Sequence, residues 1–170
     1  MTDYREHLKA FAQTGFWGKA GAGCVILAKD TGRLLIAYRG EHVEQPLTWG
    51  TWGGAIDGGE RPVEAVRREV SEETGYRGSI EAIKPLLVFA AGAFRYHNFL
   101  VVVPQEFRPR LGWEHAGFAW CDFGNWPSPL HFGLRAMLDD AESVRTIKAE
   151  LLLVPRCVDG CFQQRDAAKR

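Results

Sequence analysis

The sequence predicts an α/β protein in which helices pack against a mixed β-sheet. Short segments rich in β-branched and aromatic residues alternate with helical segments, in the order β-rich, helix, β-rich, helix. The chain has 170 residues, of which 46% are hydrophobic, and this is enough for one core. We therefore expect a single domain over residues 1–156, followed by a polar C-terminal tail at residues 157–170.

The first elements should be strands. Residues 21–28 and 34–38 are apolar runs separated by the turn-like segment KDTGR, a pattern that predicts a β-hairpin. The segment TWGTWGGAI, residues 48–56, is predicted to form a further strand interrupted by glycines.

A helix is predicted to follow over residues 62–74. Pro62 suits the first helical turn, Glu64 places a negative charge near the positive end of the helix dipole, and Gly75 suits the position just past the C-terminus. Three more strands are predicted in residues 80–91, 94–103 and 117–123, and one helix over residues 129–144.

Charge and apolar runs argue against several classes of partner. Basic and acidic residues balance at 21 each, so no overall field favours nucleic acid or an anionic membrane. The N-terminus lacks the pattern of a signal peptide and no apolar run is long enough to span a membrane, so we expect a cytoplasmic protein. Cys24 and Cys121 are expected in the core, whereas Cys157 and Cys161 are expected to be a reduced pair whose role stays open.

The predicted helix at 62–74 concentrates negative charge beside its apolar face. At 100° per residue, one stripe is formed by Val63, Val66 and Val70, and the neighbouring stripe by Glu69, Glu72 and Glu73. Arg68 can pair with Glu72, but one guanidinium cannot neutralise three carboxylates. A solvated acidic face is one interpretation, and a site for Mg²⁺ with carboxylate ligands is the other.

Glycines before the helix favour the metal site. Gly53, Gly54, Gly58 and Gly59 crowd the strand and loop that lead into it. Missing side chains let the backbone approach a ligand closely and leave a carbonyl free to bind a metal, although a tight turn alone would also use them.

Together these residues resemble the box of the Nudix hydrolases, Gx5Ex7REUxEExGU, in which U is a bulky apolar residue. All seven fixed residues occur at the right spacing: Gly54, Glu60, Arg68, Glu69, Glu72, Glu73 and Gly75. The box ends at Tyr76, which is less apolar than the usual aliphatic residue. The element order is also similar to the Nudix α/β/α sandwich, a mixed β-sheet flanked by helices.

The resemblance implies Mg²⁺-dependent hydrolysis of the pyrophosphate linkage in a nucleoside diphosphate derivative, with Mn²⁺ able to substitute. It implies that Glu69 and Glu73 are the chief metal ligands, that Glu72 is a further ligand or shares water, and that the Gly54 carbonyl completes the set. The partner is then a small-molecule nucleotide, and many members form homodimers.

The resemblance also implies supporting and proton-accepting residues. Glu60 is expected to support the metal ligands without binding the metal itself, and Arg68 is expected to orient the glutamates. The general base comes either from the box or from a loop outside it, where Glu114 is the candidate. The neighbouring His115 is expected to be a solvated loop residue.

Aromatic and basic residues around the box are candidates for binding the substrate. Trp52 and Tyr96 could stack on a base, and Arg39 or Arg95 could reach phosphate or ribose, although core packing is the commoner role of such aromatic residues. Subfamily markers for particular substrates are missing or displaced.

Three other functions remain open. A non-catalytic nucleotide-sensing or protein-binding module is the main alternative, because fold alone does not prove activity. An isopentenyl diphosphate isomerase would need an active-site cysteine, for which Cys24 and Cys121 are poorly placed. Capped RNA would be a further hydrolase substrate, but the chain has no basic track for a polynucleotide.

Overall fold

The computed structural model describes residues 20–155, which form seven strands and three helices. The strands are β1 Ala20–Ala28, β2 Leu34–Arg39, β3 Trp49–Gly50, β4 Trp52–Ala55, β5 Ala82–Ala91, β6 Phe94–Val103 and β7 His115–Cys121. The helices are α1 Pro62–Thr74, α2 Phe132–Asp139 and α3 Ala141–Leu152. The expected polar tail and the pair Cys157 and Cys161 lie outside the described residues.

Strand β1 is the centre of a mixed seven-stranded sheet. The main path runs β3-β2-β1-β6-β5, and β7 pairs with β2. β1 runs parallel to β6, whereas its other edge is shared by β2 and β4, which are both antiparallel to it. The predicted hairpin of β1 and β2 is confirmed, with Ile26 opposite Leu35. The predicted glycine-broken strand is two short strands, β3 and β4.

The sheet separates two apolar cores, as the alternation of side chains in a strand requires. Along β1, Cys24 and Ile26 face α1, which contributes Ala65 and Val66 to the first core. Val25 and Leu27 face the other side, where the buried helix residues are Leu134, Met137 and Ile147. The predicted α/β/α sandwich is therefore confirmed.

Helix α1 begins and ends where the sequence predicts. Pro62 occupies the first turn, and Gly75 caps the C-terminus with a left-handed φ of 68° while its N–H donates to Ser71 O. Val66 and Val70 are buried, and Val63 packs against the same core. The predicted apolar stripe therefore anchors the helix to the sheet and fixes which way the acidic stripe faces.

The single helix predicted over residues 129–144 is wrong, because Asp140 interrupts it. Asp140 is extended, with φ −77° and ψ 117°, and its carboxylate accepts a 2.8 Å hydrogen bond from Ser143 N. Aspartate favours this N-cap position because its side chain satisfies a backbone donor of the new helix. Ser143 Oγ in turn accepts from Leu87 N at 2.8 Å, which ties α3 to β5.

Two further expectations concern the described residues. Cys24 and Cys121 are free thiols in the core, as predicted. Among the described helices, none has the length and apolar character needed to cross a membrane.

Candidate active site

The acidic stripe of α1 is only partly exposed to solvent. The side chains of Glu69 and Glu73 are 11% and 9% exposed, whereas that of Glu72 is 59% exposed. Two of the three acids therefore point into the protein toward β4, where water cannot fully screen their charges.

Glycines in β4 allow these carboxylates to approach the strand. The Gly53 N–H donates a 2.7 Å hydrogen bond to Glu73 Oε2. A Cβ atom at Gly54 would lie 2.7 Å from Glu69 Oε1, which is closer than van der Waals contact. Gly53 also has a φ of 146°, a conformation that residues with a Cβ rarely adopt.

Arg68 ties the helix to the loop that precedes it. Its Nε and Nη2 donate to Glu60 Oε1 and Oε2 at 3.0 and 2.9 Å, and Nη2 also donates to Ala55 O at 2.9 Å. Nη1 donates to Glu69 Oε1 at 2.7 Å, and the predicted pair with Glu72 is present at 3.2 Å. The hydrogen bonds to Glu60 and then Glu69 raise the pKa of Arg68 above its ordinary value, so the guanidinium stays charged.

The buried acids hold their protons more tightly than usual. Burial raises the pKa of Glu73 well above its ordinary value, and the charges of Glu69 and Glu114 raise it further. Burial also raises the pKa of Glu69, although Arg68 opposes that shift. In contrast, the hydrogen bond from Arg68 lowers the pKa of Glu60. The site therefore concentrates negative charge that Arg68 offsets only on one side.

Glu114 lies within electrostatic reach of this cluster although it is distant in sequence. It is exposed at the end of the loop before β7, and its carbonyl oxygen accepts a 2.8 Å hydrogen bond from Gly40 N. Its charge raises the pKa of both Glu69 and Glu73. The loop acid proposed from the sequence is therefore coupled electrostatically to Glu69 and Glu73.

The expectation that His115 is a solvated loop residue is wrong. It is the first residue of β7, its side chain is 4% exposed, and its Nε2 lies 3.8 Å from Glu73 Oε1. Its ring packs on Trp52 with centroids 4.9 Å apart. Burial, with a smaller effect of the Arg39 charge, lowers the pKa of His115 to about 4, so the imidazole is neutral at pH 7. The last strand was predicted to begin at residue 117; a predicted start at residue 115 would have placed His115 in the sheet.

The four predicted substrate-binding residues lie in different environments. Trp52 is fully buried in the core, so its ring cannot stack on a base, and the proposed role is corrected. The Tyr96 ring covers Gly21 and lies in the space that a side chain there would occupy, while its hydroxyl lies 3.4 Å from Thr51 Oγ1. Tyr96 is half-buried, with its ring packed against β1, and its stacking on a base stays a prediction.

The two arginines are both held by backbone carbonyl groups. The Arg39 guanidinium donates to Glu44 O at 2.8 and 2.5 Å, and its charge lowers the pKa of Glu73 slightly against the larger effect of burial. Arg95 is exposed and donates to Gly92 O and Phe94 O at 2.7 and 2.8 Å. Of these two arginines, only Arg39 is linked electrostatically to Glu73.

The donor chemistry of the site fits a hard divalent cation. No three side chains of His, Cys, Asp or Glu within residues 20–155 converge into a ready-made metal cage. Mg²⁺ does not require one, because it keeps several waters and uses one or two protein carboxylates together with phosphate oxygens. Glu69 and Glu73 supply carboxylates, and the missing side chain of Gly54 lets the Glu69 carboxylate lie directly against the strand backbone.

Fold and site define an α/β/α sandwich protein with a partly buried carboxylate cluster on a helix that follows a glycine-rich strand. The chain matches the NUDIX domain family profile over residues 18–141. It belongs to the Nudix hydrolase family, as the box predicts.

Individual curated relatives match only part of this chain and part of their own length. An octanoyltransferase from Myxococcus xanthus is 35% identical over 96 residues, which are 53% of this chain and 26% of the relative. An RNA pyrophosphohydrolase from Bartonella bacilliformis is 39% identical over 70 residues, which are 39% of this chain and 41% of the relative. The chain thus spans less than half the length of these curated relatives.

A solved structure extends the similarity over most of the fold. The MutT Nudix hydrolase from Burkholderia pseudomallei is 26% identical and superposes with a TM-score of 0.58, covering 73% of this chain and 98% of that one.

Proposed function

We propose that this chain hydrolyses the pyrophosphate linkage of a nucleoside diphosphate derivative: a nucleoside triphosphate, a nucleotide sugar or a dinucleotide. The observation that carries the proposal is the burial of Glu69 and Glu73 side by side, with Glu114 in electrostatic reach and Arg68 bound to only one of the pair. Uncompensated buried carboxylates are costly unless a cation joins them. The family membership supports the reaction class.

Glu69 and Glu73 would hold the metal ion, with Glu72 and the Gly54 carbonyl contributing directly or through water. When bound, Mg²⁺ supplies positive charge that offsets the charge building on phosphate oxygens and makes water more acidic, and Mn²⁺ can substitute. Arg68 fixes the Glu69 carboxylate through a 2.7 Å hydrogen bond. Glu60 supports this arrangement by holding the other side of the guanidinium at 2.9 and 3.0 Å.

One carboxylate must accept the proton of the attacking water, and two candidates follow from the site. Burial raises the pKa of Glu73 above its ordinary value, which makes its carboxylate a stronger proton acceptor, whereas Glu114 is exposed and free to contact bound water. If Glu114 is the base, Glu114→Gln should lower the turnover number by about 10²- to 10⁴-fold while Mn²⁺ binding stays unchanged. If Glu73 is both the base and a metal ligand, Glu73→Gln should lower the turnover number and also weaken Mn²⁺ binding.

The experiment is a product assay over a panel of nucleoside triphosphates, nucleotide sugars, ADP-ribose, NADH, diadenosine polyphosphates and capped or triphosphorylated RNA, with Mg²⁺ and then Mn²⁺. The control is Glu142→Gln, which changes an exposed acid on α3 paired with Arg145. Turnover of one class of compound that persists in Glu142→Gln and is lost in Glu73→Gln would support the proposal. Nucleotide binding without turnover of any compound would favour a sensing module instead.

The location and partners follow from the same proposal. A small-molecule nucleotide pool and the free thiols of Cys24 and Cys121 would suit the reducing cytoplasm.

A further inference from the structure

His115 is enclosed at the point where two strands lose their regular register. β7 pairs with β2, and the register shifts between Tyr38 and Arg39, the residue opposite His115. Such irregularities redirect a side chain relative to the regular pleat. Here the imidazole lies between the Trp52 ring and Glu73, with a side chain that is 4% exposed.

The two oxygens of Glu73 face different neighbours. Oε2 accepts a 2.7 Å hydrogen bond from Gly53 N. Oε1 faces His115 Nε2 at 3.8 Å, which is longer than a hydrogen bond. Contacts in a catalytic site often shorten when the substrate and its ions are bound. A carboxylate oxygen has more than one acceptor direction, so such contacts leave room for a metal ligand bond.

The surroundings of His115 favour one tautomer. Its Nδ1 is buried without a hydrogen-bond partner in the described part of the chain, while Nε2 faces a carboxylate oxygen. A neutral imidazole with its proton on Nε2 directs the only N–H of the ring toward Glu73 and leaves Nδ1 as an unused acceptor. The Trp52 ring, with its centroid 4.9 Å from that of His115, restricts the plane of the imidazole.

We propose that His115 is a positioning residue that holds Glu73 Oε1 from one side while the Gly53 N–H holds Oε2 from the other. The carboxylate is then presented to the metal in a single rotational state. This role rests on the proposed function, because it takes Glu73 as a metal ligand. Groups that orient a metal-binding side chain commonly change metal affinity or activity by about 10- to 100-fold when removed.

Three substitutions separate positioning from packing. His115→Phe keeps an aromatic ring against Trp52 but removes both nitrogens. His115→Gln places an amide N–H at about the reach of Nε2, whereas His115→Asn places it at about the reach of Nδ1. The control is His131→Asn, which changes a half-buried histidine but keeps its capping acceptor for Gly133 N.

The first readout is Mn²⁺ binding, measured by the loss of the free-ion electron paramagnetic resonance signal, with a thermal melt of each protein in EDTA to establish folding. We expect His115→Phe to weaken Mn²⁺ binding about 10- to 100-fold, His115→Gln to recover most of it, and His115→Asn to recover little. Turnover should follow the same order, with kcat changing more than KM.

Equal Mn²⁺ binding by wild-type and a folded His115→Phe would overturn the inference, as would equal recovery by His115→Asn and His115→Gln. If His115→Phe does not fold, the comparison of Gln with Asn decides. A wild-type protein that binds no Mn²⁺ overturns both this inference and the proposed function. One that binds Mn²⁺ but cleaves nothing overturns the proposed function alone, and the binding series still decides the role of His115.

Discussion

The backbone N–H of Gly53 donates a 2.7 Å hydrogen bond to Glu73 Oε2 and so links strand β4 directly to the acidic face of helix α1. The bond stabilises a carboxylate that burial otherwise makes costly to ionise. An amide oxygen could accept the same hydrogen bond without carrying a charge. Stability and function therefore make opposite demands on position 73.

Glu73→Gln should stabilise the metal-free protein while it removes activity. The folded-state pKa of Glu73 lies above its unfolded value of 4.5, so the folded state loses stability as pH rises from about 4.5 through the raised folded pKa. Gln removes this loss, and each kcal/mol regained should raise Tm by roughly 2–4 °C. Thermal melts in EDTA at pH 8 test this, with exposed Glu142→Gln as the control. A lower Tm for Glu73→Gln than for wild-type would contradict it.

The two adjacent glycines of β4 should respond differently to alanine. Gly54→Ala places a Cβ 2.7 Å from Glu69 Oε1, so we expect Mn²⁺ binding and turnover to fall about 10-fold or more with little change in Tm. Gly53→Ala combines a φ of 146° with overlap against Ala22 and Gly23, and should cost about 3 kcal/mol of stability. Urea unfolding and Mn²⁺ titration of both variants measure these effects. Equal losses of stability would contradict the assignment.

Arg68→Lys should destabilise the protein although it conserves charge. A lysine cannot form the paired hydrogen bonds to Glu60 or also reach Ala55 O. We expect a loss of about 1–3 kcal/mol, measured by urea unfolding. The control is Arg67→Lys, which changes an exposed arginine on the same helix.

A double-mutant cycle then isolates the contact between Arg68 and Glu60. Coupling with Glu60→Gln should be on the order of 0.5–3 kcal/mol if the two side chains act as a unit. Additive effects of Arg68→Lys and Glu60→Gln would show that they act independently.

His131 should make the protein less stable in acid. Its Nδ1 accepts a 3.1 Å hydrogen bond from Gly133 N at the start of α2, and burial, followed by the Arg39 charge, lowers its pKa from 6.5 to about 4. Because the unfolded chain takes up the proton first as pH falls, stability is lost between pH 6.5 and about 4, by at most about 1.4 kcal/mol per pH unit.

Asn keeps the capping acceptor and does not titrate, so His131→Asn should reduce this pH dependence. Urea unfolding of both proteins in EDTA at pH 7, 6 and 5 measures the difference. His115 affects the pH dependence of stability in the same direction in both proteins. Only the difference between the two proteins therefore reports on His131. Parallel stability curves would rule out the proposed role of the cap.

Features encoded by neighbouring residues were predictable from the sequence. The limits of α1 follow from Pro62 and Gly75, which restrict the backbone locally. The helix break at Asp140 was not predicted. It is stabilised by the hydrogen bond from Ser143 N to the Asp140 carboxylate and by the hydrogen bond from Leu87 N to Ser143 Oγ, and Leu87 lies on a strand distant in sequence. Local pattern alone cannot register such a contact.

The same distinction divides the site. The acids of α1 and the glycines of β4 were visible as a spaced motif. The burial of Trp52 and the position of His115 against Glu73 depend on how β4 and β7 pack beside α1. The sequence does not indicate how exposed these side chains are. An aromatic residue near a predicted site gives the same sequence pattern whether it lines a pocket or packs in the core.

Because β1 lies at the centre of the sheet, the order in which its partner strands are synthesised determines when the site can form. Its antiparallel neighbours β2 and β4 leave the ribosome soon after it, but its parallel partner β6 follows α1, with Ala20 opposite Arg95. His115 and Glu114 emerge later still. A nascent chain ending after α1 thus carries the whole acidic motif yet lacks the strand that completes its core. We expect the site to assemble only once β6 and β7 have been made, because distant strand pairing is the slow part of such folds.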